Sequence, residues 1–115
     1  MPTVKAQAQQ ILRNVARDRT TITYGELAAR LSDRDDAPTP DVLPGLLRAI
    51  SSEEDAAGRG MLSAVVVRAS GTRMPGGGFF RLAADLGRDV TDRRTCWSRE
   101  LARVYWANGR PPSEV

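Results

Sequence analysis

The sequence of 115 residues contains no histidine. That absence excludes Ser-His-Asp and Cys-His catalysis, imidazole general bases, and the imidazole ligands that almost every zinc, copper or non-haem iron site needs. A single cysteine, Cys96, excludes an intrachain disulfide and a multi-thiolate zinc site. An enzyme built from this chain would have to work with carboxylates, Arg, Lys, Tyr, Ser or a cofactor. No apolar run approaches the ~20 residues that cross a bilayer, and the opening "MPTVKAQAQQ" lacks the apolar core of a secretory signal. The expectation is one cytoplasmic domain with a modest core, too short to divide in two.

Lysine is almost missing as well: of 17 basic residues, only Lys5 is a lysine. The charges are unevenly placed. Residues 1–55 hold 7 basic and 9 acidic side chains, and residues 56–115 hold 10 basic and 5 acidic, so the net +3 belongs to the C-terminal half. An asymmetry of this sign points to a polyanionic partner.

Apolar residues Val4, Ala8, Ile11, Leu12, Val15 and Ala16 recur at helical spacing, which predicts a helix over residues 3–19 with Gln7, Gln9, Arg13 and Arg17 on its wet side. The β-branched "TTIT" suits a short extended piece. Thr23 and Glu26 have the spacing of a capping box, opening a second helix that turns Leu27, Ala28 and Leu31 inward. The acidic, proline-bearing "SDRDDAPTPD" reads as a loop. Asp41 caps a third helix, with Pro44 in its first turn and Leu43, Leu46, Leu47 and Ile50 facing the core. "SSEEDAAGRG" reads as loop, and "MLSAVVVRA" as the best strand, buried on both faces. Phe79, Leu82, Ala83 and Leu86 make a two-turn helix ended by Gly87. A last helix runs from Asp92 or Thr95 to Asn108, with Trp97, Leu101, Val104 and Tyr105 inward, stopped by Gly109 and Pro111–Pro112. The predicted class is α+β and helix-rich: an N-terminal helix (1–19), a winged helix-turn-helix-like unit with a small sheet and a glycine-rich loop (20–87), and a C-terminal helix and tail (88–115).

"ITYGELAARL", then "LPGLLRAIS", then "SAVVVRASG" resembles the DNA-binding domain of the alkylguanine alkyltransferases and their catalytically dead alkyltransferase-like relatives. The likeness covers roughly residues 22–71 and is most specific around Tyr24 and Glu26. The family's Pro-Cys-His-Arg nucleophile motif is absent: Val67-Arg68 stands in its region, and Cys96, followed by Trp97, lies in another segment. The resemblance therefore implies a winged-helix fold and no alkyl transfer.

"GTRMPGGGFFRLAADLG" carries the main candidate site. It is no Walker A loop, because Gly77 and Gly78 stand where Lys and Ser/Thr are needed. It is no dinucleotide fingerprint either, because Arg81 replaces the last glycine. What remains is a run of bare amides, Gly76, Gly77 and Gly78, feeding a helix N-terminus between Arg68, Arg73 and Arg81. Such a place attracts an oxyanion, and the same glycines equally suit a turn that needs φ > 0. The recognition-helix stretch, residues 41–52, turns Gly45, Arg48, Ala49 and Ser52 outward, with Arg48 the one side chain able to read guanine. Asp33, Asp35 and Asp36 before it, and Glu53, Glu54 and Asp55 after it, would repel phosphates. On the last helix Arg99, Arg103 and Trp106 form a stripe that can hold phosphates, stack on a base or anchor a protein. Glu100 and Arg103 pair across one turn. The carboxylates 33, 35 and 36, and 85, 89 and 92, lack metal-loop spacing and read as turns and caps.

The functional expectation is a small non-enzymatic DNA-binding protein, regulatory in role. It contacts phosphates through Arg68, Arg73, Gly76, Gly77, Gly78 and Arg81, with Arg48 reading bases, and needs no metal, cofactor or membrane. The alternative is an adaptor or inhibitor that binds a protein through Arg99, Arg103 and Trp106, of the kind a phage or other mobile element encodes.

Overall fold

In the computed structural model, which describes residues 2–109, the first helix starts where its cap places it. Thr3 accepts a hydrogen bond from the Ala6 N–H and opens α1 (Val4–Arg17), whose Ala8, Leu12, Val15 and Ala16 are buried. The extended piece is β1 (Ile22–Thr23). Thr23 and Glu26 form the capping box in both directions, 3.1 Å from the Glu26 N–H to the Thr23 hydroxyl and 2.8 Å from the Thr23 N–H to the Glu26 carboxylate. They open α2 (Tyr24–Leu31), with Leu27 and Leu31 fully buried and Ala28 half-buried.

Asp41 does not cap α3 (Leu43–Ala56). Its carboxylate accepts from the Thr39 hydroxyl, and the carbonyl of Thr39 takes the N–H groups of Val42 and Leu43 instead. The helix also runs through "SSEEDA", which the sequence reading made a loop. Two polar residues there sit on the buried face and are satisfied: Ser51 by Ser63, and Glu54 by Gln9, Arg13 and Arg59. For the same reason Gln9 is not on a wet side. It is 8% exposed and donates to both Glu53 and Glu54, so the polar side of α1 is its contact with α3.

The expected long strand is mostly something else. Residues 61–67 are buried one after another, but Leu62–Val65 form a 3-10 turn, and only Val66–Val67 (β2) pair, in parallel, with Ile22–Thr23. With a two-residue β1 there is no ladder for the rest, and their amides find side chains: Met61 N–H donates to Glu100 (2.8 Å) and Ser63 N–H to Ser51 (2.9 Å). This segment is the axis of the core, packed by α1, α3 and α5 (Arg93–Gly109).

Between β2 and α4 (Gly77–Asp85) the chain makes a loop closed by the Arg68 N–H donating to the Met74 carbonyl. Gly87, at φ 89°, ends the α4 turn as expected. Asp92 caps α5 by accepting from the Arg94 and Thr95 N–H groups. Val104 is buried, Trp97, Leu101 and Tyr105 are half-buried, and the Trp97 indole N–H reaches the Ala64 carbonyl at 2.8 Å. Cys96 and Glu100 join them in the core. The stop expected at Pro111–Pro112 lies outside the described residues. The layout is helix-rich α+β with one small parallel two-stranded sheet. Among the described residues no antiparallel strand pair flanks the glycines, so the expected wing is a loop.

Candidate functional site

Three helices begin at one place. The first turns of α2 (Tyr24), α3 (Pro44–Arg48) and α4 (Gly77–Arg81) surround a cleft of about 460 Å³, with Ser63 of the 3-10 turn also in its lining. The start of α4 is fixed from across the cleft, because the Gly76 N–H donates to the Tyr24 hydroxyl at 2.9 Å. Leu47, Phe79 and Leu82 supply the apolar walls.

The first turns leave amides without helical acceptors. In α4 the Phe79 N–H returns to the Gly76 carbonyl, which leaves those of Gly77 and Gly78, and no side chain among the described residues caps the helix. In α3 Pro44 has no N–H to satisfy, the Leu46 N–H reaches Val42, and the Gly45 amide is left over. All three glycines line the cleft. Their dipole ends add positive potential to that of Arg48 and Arg81, and no carboxylate belongs to the lining.

The predicted residues divide cleanly. Arg48, Gly76, Gly77, Gly78 and Arg81 meet at the cleft. Arg81 folds back over its own helix start, its guanidinium 3.8 Å from where a Cβ on Gly77 would lie. Arg68 stands just outside, 3.9 Å from the corresponding point on Gly76. Arg68 and Arg81 make no ion pair among the described residues, whereas Arg48 meets Asp85 at 3.0 Å, with both side chains more than half exposed. Arg73 is not brought to the cleft. It sits in the loop at φ 54°, and its charge helps the Thr23 cap hold the Glu26 carboxyl below its usual range.

On α5, Arg99 and Trp106 are exposed, the indole at 62%, but Arg103 is drawn to Glu100 at 3.2 Å as the pairing rule anticipates. The acidic flanks also change meaning. Glu53 is paired with Lys5, Glu54 with Arg13 and Arg59, Asp55 with Arg88 and Asp36 with Arg34. These four charges are answered inside the protein, whereas Asp33 and Asp35 are exposed and make no ion pair among the described residues. Tyr24 and Ser63 are site residues that sequence reasoning missed. Tyr24 stood inside the motif that carries the family resemblance, and Ser63 was hidden in an apolar run.

Among the described residues no group of three or more His, Cys, Asp or Glu side chains is placed to hold a metal ion, and no helix is long and apolar enough to cross a membrane. No family model, curated protein or solved structure matches this chain.

Proposed function

We propose that the chain is a small, winged-helix-like, non-enzymatic DNA-binding protein whose α3–α4 face grips phosphates. The observation that carries this reading is the convergence of Arg48, Arg81 and the Gly76–Gly78 run on one cleft that has no carboxylate in its lining. Arg68 extends the same positive edge. Phosphate oxygens are strong acceptors, and exposed guanidinium groups beside open helix-start amides are the donors that suit them.

A gel shift with unrelated duplex and single-stranded DNA at two ionic strengths tests it. Retardation at low salt should weaken steeply: roughly three phosphate contacts lose about 40-fold in affinity between 50 and 200 mM salt. Arg68→Glu with Arg81→Glu should abolish it. Absence of retardation at low salt overturns the reading. A second reading, capture of a protein by α5, draws on the exposed indole of Trp106 beside Arg99. Binding that ignores salt and Arg81→Glu but is lost in Trp106→Ala would establish that one instead.

A further inference from the structure

The cleft is larger than a phosphate group needs and reaches past the arginines to a polar residue inside. Ser63 is 7% exposed and lines it. Ser51 donates its hydroxyl proton to Ser63 Oγ at 2.6 Å while its own oxygen accepts from the Ser63 N–H at 2.9 Å. The two hydroxyls thereby share one hydrogen bond, and Ser63 stands as the polar group at the inner side of the cleft. A hydroxyl there can turn towards an oxygen that enters from outside.

We propose that this cleft binds the end of a nucleic-acid strand, taking a terminal phosphate monoester together with its nucleotide. The inference rests on the nucleic-acid reading above and narrows it. A phosphodiester within a duplex stays on a convex backbone, so it can meet the arginines and glycine amides at the mouth but cannot carry its sugar and base into a cleft of about 460 Å³. A strand end can enter. A monoester offers three terminal oxygens and a charge of about −1.5 to −2 at pH 7, where a diester offers two oxygens and one charge. The donors match the richer group: the amides of Gly45, Gly77 and Gly78, the Ser63 hydroxyl, and the guanidinium groups of Arg48 and Arg81. Arg48 is held by Asp85 in an exposed pair that an entering dianion can replace. Leu47, Phe79 and Leu82 give the sugar and base of the terminal nucleotide an apolar wall, and the volume is within the range of small-molecule sites.

The test is a fluorescence-anisotropy titration of the full chain with three single-stranded probes of one sequence: 5′-phosphorylated, 3′-phosphorylated and with both ends hydroxyl. One phosphorylated probe should bind at least tenfold more tightly than the hydroxyl probe. Gly78→Ala places a methyl group beside the open amides where nothing in the fold obstructs it, and Ser63→Ala removes the inner donor. Each should weaken the phosphorylated probe enough to cut that advantage to about twofold. Equal, salt-sensitive binding of all three probes overturns this inference and leaves the DNA-binding reading standing. Binding of none of them overturns both. Adenosine monophosphate displacing the phosphorylated probe as tightly as an unlabelled strand overturns the strand end as the source, in favour of a free nucleotide.

Discussion

Whether a glycine can be replaced depends on its φ and on what its missing Cβ would meet. Gly78, in the first turn of α4, has no positive φ, and a Cβ there meets nothing within 4 Å. Gly60 sits at φ 84°, and its Cβ would lie 3.1 Å from both the Arg103 Cγ and a Glu100 carboxylate oxygen. The same substitution should therefore act with opposite signs. Gly78→Ala should stabilise the fold by about 0.4–1 kcal/mol, chiefly by restricting the unfolded chain, while Gly60→Ala should destabilise it by more than ~1 kcal/mol. Urea denaturation of the two variants checks this, and a destabilised Gly78→Ala would contradict the open first turn described for α4. At this scale the sequence was readable where the site is local. Gly76, Gly77, Gly78 and Arg81 are one turn of chain, so their meeting needs only a helix. Ser63 and Tyr24 reach the cleft through the tertiary fold, and no spacing along the chain marks them.

At the scale of elements, apolar periodicity located the five α-helices of the described residues, and capping chemistry fixed the start of α2. The failures share a cause. "SSEED" reads as loop because it is polar, and "MLSAV" reads as strand because it is almost continuously apolar, yet polar groups of the first and amides of the second are buried. In the fold they have each other. Glu54 is fully buried between α1 and α3, with Arg13 at 2.7 Å and Arg59 at 3.0 Å. Burial pushes its carboxyl pKa up, but the hydrogen bonds from Arg59 and Arg13 outweigh that and hold it at about 2. A carboxyl depressed in the folded state stabilises above its unfolded value, near 4.5, and that contribution is lost as pH falls towards 2. Because Arg13 and Arg59 are each more than a third exposed, the contribution is screened to about 2 kcal/mol. Denaturation midpoints at pH 6, 4 and 2.5 should fall more steeply for the native chain than for Glu54→Gln. Parallel slopes would show that Glu54 carries no such linkage.

On the scale of the whole molecule, one side chain joins parts that are distant in sequence. Arg88 follows α4, yet its guanidinium pairs with Asp55 at the end of α3 and with Glu100 on α5, and it also donates to the Leu86 carbonyl. Glu100 is 1% exposed and accepts from the Met61 N–H at the entry to the core segment, so the cluster ties α3, α5 and the central 3-10 turn together. The hydrogen bonds Arg88 donates to Glu100 and Asp55 raise its pKa further, which keeps it charged at every working pH. Arg88→Met should remove about 3–5 kcal/mol, because it leaves a buried carboxylate with the Met61 N–H and the part-exposed Arg103 in place of its main counter-charge. Against the 5–15 kcal/mol typical of a small domain, that is a large share of the whole. Adding Glu100→Gln should recover part of the loss, since the stranded charge goes with it. Arg88 does not line the cleft, so the DNA retention proposed above should be unchanged per folded molecule in Arg88→Met. Arg81→Glu should do the reverse, leaving the melting temperature within a degree or two while retention disappears. If both variants lost stability and retention together, the cleft and the Arg88 cluster would be one cooperative unit. The separation of the proposed binding face from the structural clasp would then fail.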